Sequence, residues 1–223
     1  MTETASLPNL IIGLGTGRCG TMTLAHLLNH QLGADVAHER NGSLAWQGAF
    51  GNIAESFDRL ISSGSPLIGD VAFYYLPYVE QILSRFPTAR FVCLERDRDE
   101  TVNSYLKKTA GRNHWMRHNG RQWRTDIWDQ SYPKYAERSK RDALICYWEA
   151  YATESRRLES FYPNSFRLFP TDTLNSDAGQ DSVLAFLQIP EEQRRFLPPQ
   201  RLNATSRWPR WFPKWFHRQR TAA

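Results

Sequence analysis

Arg96 and Ser104 stand eight residues apart, the arginine at the end of an apolar run (Phe91-Val-Cys-Leu-Glu95) and the serine inside the helix-like stretch that follows. Arginine at a strand end presents a planar fork of donors that matches a phosphate. A hydroxyl two turns into the next helix can face the same set of oxygens. Upstream, Gly15-Thr16-Gly17-Arg18-Cys19-Gly20-Thr21-Met22-Thr23 joins the apolar run Leu10–Leu14 to another helix-like stretch. Glycines there let backbone N–H groups approach an anion, and the helix N-terminus adds unpaired donors and a partial positive charge.

The glycine-rich loop alone reads in three ways. Gly15-x-Gly17-x-x-Gly20 fits a dinucleotide fingerprint, with Glu39, nineteen residues past Gly20, placed as the ribose-binding acid. Gly15 and Gly20 also have the separation of a Walker A loop. There, however, Thr21-Met22 replaces the required Lys-Ser/Thr, which argues against an ordinary ATPase or kinase. A cysteine phosphatase built on Cys19 is set aside because Ala25 stands where its arginine belongs. Third, Gly17–Thr23 resembles the 5′-phosphosulfate loop of sulfotransferases, and Arg90–Lys107, with Arg96 and Ser104, resembles that family's 3′-phosphate site. Taken alone, Arg96 could equally belong to a surface charge cluster with Asp97, Arg98, Asp99 and Glu100. Both motifs in the family's order favour the phosphate. A late strand and helix within Phe166–Leu187 extend the resemblance over roughly Leu10 to Pro190.

The resemblance implies a P-loop-NTPase-like, three-layer α/β fold with a central parallel sheet flanked by helices. It also implies a donor, 3′-phosphoadenosine 5′-phosphosulfate (PAPS), sulfuryl transfer to an acceptor hydroxyl or amine, release of 3′,5′-ADP, and no metal. Arg18 falls at the family's Lys/Arg position and is expected to stabilise the leaving group. Gly15, Thr16, Gly17, Cys19, Gly20, Thr21, Met22 and Thr23 would cradle the 5′-phosphosulfate, Met22 departing from the family's Ser/Thr. Arg96, Ser104 and Arg207 from the tail would hold the 3′-phosphate. Candidates for the general base are Glu39 first, then Asp70 and His38, all at strand ends. Competing readings are an NAD(P)-binding oxidoreductase and a degenerate, non-catalytic nucleotide-binding module.

Strand signals at Leu10–Leu14, Asp35–His38, Pro66–Val71, Arg90–Glu95 and Ser165–Phe169 alternate with helix-like patterns. The latter cover Gly20–Leu32, Ile53–Ser62, Leu76–Phe86, Asp99–Lys108, Ser139–Tyr162 and Ser182–Leu187. Such alternation predicts a parallel sheet covered on both faces, with ligands at the carboxyl ends of its strands. Residues 1–192 form the expected catalytic domain. Within it, 111–138, long, polar and rich in Trp, is expected to be a lid or acceptor-binding insertion. Its aromatic residues suit a carbohydrate, a peptide or a small alcohol, leaning toward sugar. His114 and His118 are four apart in the manner of metal ligands, but no third ligand is evident beside them; Asp126 and Asp129 suit acceptor recognition or plain solvation.

The tail, 193–223, holds eight Lys or Arg and no Asp or Glu, so the chain's basicity resides there and does not mark a nucleic-acid binder. Its Trp208–Phe216 aromatics suit a cover over the cofactor or core, or contact with an anionic membrane surface, although Pro209 and Pro213 interrupt an amphipathic helix. Three well-separated cysteines and an N-terminus without a basic, apolar leader fit a cytoplasmic protein.

Overall fold

The computed structural model describes residues 9–40, 44–47, 54–55, 57–58, 61–62, 64–118 and 122–198. Five strands, β1 (Asn9–Gly15), β2 (Ala34–His38), β3 (Leu67–Val71), β4 (Arg90–Glu95) and β5 (Phe166–Pro170), form one parallel sheet in the order β2-β3-β1-β4-β5. The helices are α1 (Thr21–Asn29), α2 (Val79–Arg85), α3 (Arg98–Lys108), α4 (Lys140–Phe161) and α5 (Asp177–Phe186). All five strands sit where the sequence pattern puts them.

Alternation along the central strand builds the two cores. Leu10, Ile12 and Leu14 of β1 face a cluster containing Ile82 of α2, Val102 of α3 and Leu144 of α4. Ile11 faces the opposite cluster, with Leu24, Leu27 and Leu28 of α1 and Val183 and Leu184 of α5. Buried on both sides, β1 and β3 read as the near-continuous apolar runs of interior parallel strands.

β3 lies between β1 and β2, whereas a dinucleotide-binding sheet places β2 directly beside β1. Gly69 permits this packing: a Cβ there would come within 2.1 Å of the Ile11 carbonyl oxygen. The chain leaves β1 through α1 on one face and leaves β3 through α2 on the other. The carboxyl end of β1 is therefore a topological switch point, the usual ligand crevice of such sheets.

Helix ends depart from the sequence pattern for local reasons. The expected helix at 76–86 begins earlier, as a 3₁₀ turn over Phe73–Tyr78 containing Pro77, before α2 proper. α5 starts at Asp177 rather than near 182, because Ser176 caps it by accepting from the Gly179 N–H. α1 stops at Asn29, short of Gly33, whose φ is 70°. The helix expected at 53–62 lies partly outside the described residues; Ala54, Glu55, Phe57, Asp58 and Ile61 within it are helical. Past α5, Gln31 and Gln180 each make paired amide hydrogen bonds to the main chain, at Arg195 and Leu197. The remainder of the tail, with Arg207, lies outside the described residues. No helix among the described residues is long and apolar enough to cross a membrane.

Gly69→Ala drives a methyl group into the β1 backbone and should cost about 1–3 kcal/mol of stability, read as a lowered denaturation midpoint. An unchanged midpoint would contradict this packing of β3 against β1.

Candidate active site

The loop after β1 is built from unusual backbone. Gly15 (φ 145°), Gly17 (φ 80°), Arg18 (φ 59°) and Gly20 (φ 91°) all lie at positive φ. A Cβ on Gly17 would come within 2.1 Å of the Tyr105 hydroxyl oxygen, so glycine there serves both conformation and space. For Arg18 the left-handed backbone costs about 1–2 kcal/mol, held by what surrounds it.

What surrounds it is a set of side chains gripping the loop's backbone. Tyr105 and Tyr147 hydroxyls both donate to the Thr16 carbonyl, at 2.5 and 2.9 Å. Tyr151 accepts from the Gly15 N–H at 2.9 Å and donates to the Phe73 carbonyl. Arg96 donates to the Arg18 carbonyl at 2.9 Å, and Thr171 donates to the Cys19 carbonyl at 2.9 Å. A trans peptide directs its N–H opposite its C=O. Holding the Arg18 and Cys19 carbonyls therefore turns the Cys19 and Gly20 amides away from those anchors. At the start of α1 no side chain caps the helix, in contrast to Asp97, Ser139 and Ser176 at α3, α4 and α5. Its first-turn donors remain for an anion.

The pair singled out in sequence meets the loop directly. Arg18 Nε donates to Ser104 Oγ at 3.1 Å, while Arg96 binds the Arg18 carbonyl. Arg18 is exposed and Arg96 and Ser104 half-buried. Arg96 also pairs with Glu100 at 2.8 Å, so the surface-cluster contact exists alongside the loop contact. Beside Arg96 opens a cleft of about 410 Å³, walled by Trp148, Phe169 and Pro170. Trp148 is fixed by its Nε1–H, which donates to the Arg96 carbonyl.

The three base candidates have different surroundings. Asp70 is fully buried and engaged: it accepts from Tyr75 at 2.8 Å and from the Arg40 N–H at 2.9 Å. Burial raises its pKa. His38 bonds Thr21 Oγ1 at 3.2 Å, and burial, with His26 nearby, lowers its pKa to about 4, so its imidazole is neutral. Glu39 lies just past β2 at φ 56° with its side chain 32% exposed. Burial and the Asp70 charge raise its pKa to about 7, against the pull of Arg18.

Cys19 is buried and its pKa is pushed up to about 11, so the thiol is a small packing group rather than a nucleophile. Thr21 is buried against His38, and Met22 and Thr23 are half-buried on α1. Sequence reasoning missed Tyr105, Tyr147, Tyr151 and Thr171. The i, i+4 spacing of Tyr147 and Tyr151 on one helix face is their signal, since a buried tyrosine hydroxyl needs a partner.

Glu39 gives the site a pH signature. Its proton leaves near the ordinary 4.5 in the unfolded chain and near 7 in the folded one. In that window the folded state binds more protons, so Glu39's contribution to stability falls as pH rises. His38, held neutral, contributes with the opposite sign between about 4 and 6.5. The comparison must therefore be between variants. Glu39→Gln should gain stability relative to the parent as pH goes from 4.5 to 7.5; a pH-independent difference in thermal midpoint would refute the raised pKa of Glu39.

The match to the Sulfotransferase family covers residues 21–148, more than half the chain and including Arg96 and Ser104. No curated protein matches the sequence significantly. Among solved structures, a sulfotransferase from Alicyclobacillus acidocaldarius superposes with TM-score 0.53 at 16% identity, over 86% of this chain and 83% of that one. A shikimate kinase from Bacteroides thetaiotaomicron aligns with TM-score 0.39 at 12% identity, over 81% of this chain and 99% of that one. The fold is the P-loop-like, three-layer α/β arrangement. By the match over residues 21–148, the chain belongs to the sulfotransferase family.

Proposed function

We propose that this protein transfers a sulfuryl group from PAPS to a hydroxyl or amine of an acceptor. The observation that carries the reading is the chain of contacts from Arg96 to the Arg18 backbone and from the Arg18 guanidinium to Ser104. It joins the two phosphate-binding motifs into one surface. The donor fits the residues present: a loop turned by left-handed glycines, a helix start without a side-chain cap, and Arg18 hydrogen-bonded to Ser104 and, through its carbonyl, to Arg96. When bound, the donor supplies an activated sulfuryl group and a phosphate leaving group.

The residues divide that work. Loop amides and the first turn of α1 would hold the 5′-phosphosulfate, and Arg18 would neutralise charge building on the leaving oxygen. Arg96 and Ser104 would hold the 3′-phosphate, with the Trp148 cleft beside them for the adenosine. Glu39, as carboxylate, would take the acceptor's proton while the acceptor oxygen or nitrogen bonds to sulfur and the bridging S–O bond breaks. A pKa near neutrality suits that role. His38 is too weak a base and Asp70 too enclosed, so they would position Thr21 and the Arg40 backbone instead. For the acceptor, the aromatic insertion favours a carbohydrate over a peptide or a small alcohol.

Thermal stabilisation by 3′,5′-ADP should exceed that by ADP, ATP or NAD, and Arg96→Ala should abolish the preference. With a sulfated product assay, Glu39→Gln should lower turnover by about 10²–10⁴-fold while still binding 3′,5′-ADP; Arg18→Ala should lose turnover as well. Stabilisation by NAD alone, or full activity in Glu39→Gln, would reject the assignment.

A further inference from the structure

The insertion between α3 and α4 gathers a second set of reactive side chains that the transfer reaction does not use. Its described part has little regular structure: two isolated bridges, Arg112↔Arg124 and Met116↔Tyr135, and one 3₁₀ turn at Asp129–Ser131. A segment of this length without regular ladders needs another source of order. Its polar centre is Asp129. His114 Nδ1 lies 3.1 Å and His118 Nε2 2.7 Å from Asp129 Oδ1, and His114 Nδ1 is 3.7 Å from Asp126 Oδ1. Donor atoms of His114, Asp126 and Asp129 all fall within 4.8 Å of one another.

We propose that His114, Asp126 and Asp129 form a zinc site that fastens this insertion, with His118 orienting Asp129 from outside the three ligands. Bonds of about 2.0–2.1 Å to a tetrahedral ion separate its ligands by about 3.4 Å. The observed 3.1 and 3.7 Å bracket that value. One imidazole and two carboxylates are a donor set suited to Zn²⁺, with water completing the tetrahedron.

The surroundings prepare these ligands. Asp129 Oδ2 accepts the Asp126 N–H at 2.7 Å, leaving Oδ1 for the ion, and Asp126 Oδ1 is oriented by the Trp128 N–H at 2.9 Å. Such outer contacts are what fix metal-binding carboxylates. Arg112 pairs with Asp126 at its other oxygen, Oδ2, at 3.0 Å. Lys134 donates to the main-chain carbonyls of His114 and Asp129 and stays 4.0 Å from Asp129 Oδ1.

Fastening here bears on the active site through packing. Trp115, next to His114, is fully buried against Tyr105, with ring centroids 4.8 Å apart, and Tyr105 grips the Thr16 carbonyl. Tyr132 stacks between His114 and Phe73.

The test uses the full-length protein stripped with a chelator. Titration with Zn²⁺ should show one equivalent bound and raise the thermal midpoint by several degrees. Co²⁺ should give the visible absorption of a tetrahedral site. Asp129→Asn and His118→Ala should each weaken Zn²⁺ binding at least about tenfold, without changing the response of the chelated protein to 3′,5′-ADP. No stoichiometric binding, or unaltered affinity in both variants, would overturn the proposal and leave a metal-free His–Asp–His hydrogen-bonded clamp. Because binding is read first on the parent protein, an unfolded variant does not decide the outcome. Because zinc and 3′,5′-ADP are measured separately, the site can fail while the sulfotransferase assignment stands, and the reverse.

Discussion

Holding a glycine-rich loop open to an anion requires that its carbonyl oxygens be kept out of the way. A lone pair turned into the cradle would repel the ligand, and a strained loop left alone would relax toward such states. In this protein the Thr16, Arg18 and Cys19 carbonyls are each bound, by Tyr105 with Tyr147, by Arg96 and by Thr171. These anchors come from α3, α4, the end of β4 and the turn after β5. Packing of the helices on the sheet is thereby converted into the shape of six residues. Left-handed backbone at Arg18 is affordable only because this scaffold over-determines it.

A second residue of the site at positive φ, Glu39, lies near enough to Arg18 for their charges to interact. Glu39 follows the edge strand β2, and its N–H bonds the Val71 carbonyl, continuing the β2–β3 pairing past β2. Positive φ at Glu39 then turns the chain so that Arg40 presents its N–H to Asp70. Asp70 thus works as a buried strut whose charge, together with burial, keeps the neighbouring Glu39 a weak acid. Arg18 opposes that effect. Ionisation of Glu39 consequently depends on a carboxylate behind it and a guanidinium in front, and an anion near Arg18 would weaken the second influence.

Much of this was legible in the chain, and the illegible part has a physical pattern. Arg96 and Ser104 could be read because a strand end and two helical turns fix their relation locally. Loop glycines could be read because positive φ is a local demand. Strand order could not: β1–α1–β2 looks the same in sequence whether β2 pairs with β1 or leaves room for β3. The dinucleotide reading therefore survived until the sheet itself was seen. Nor could the tyrosine anchors be assigned, since Tyr147 and Tyr151 reach a loop more than 130 positions away. Asp126 and Asp129 join His114 only through an irregular fold of the insertion, for which no periodicity exists to be read.

The double engagement of Arg96 shows that the surface-cluster contact and the contact to the glycine-rich loop coexist. Glu100, one turn into α3, takes the Nε and Nη2 edge of the guanidinium, while Nη1 reaches the Arg18 carbonyl. A half-exposed i, i+4 pair restrains the guanidinium at little cost in stability. The same pair leaves the guanidinium lying against the loop backbone. The guanidinium that belongs to the surface cluster in sequence is also the group that ties the end of β4 to the glycine-rich loop.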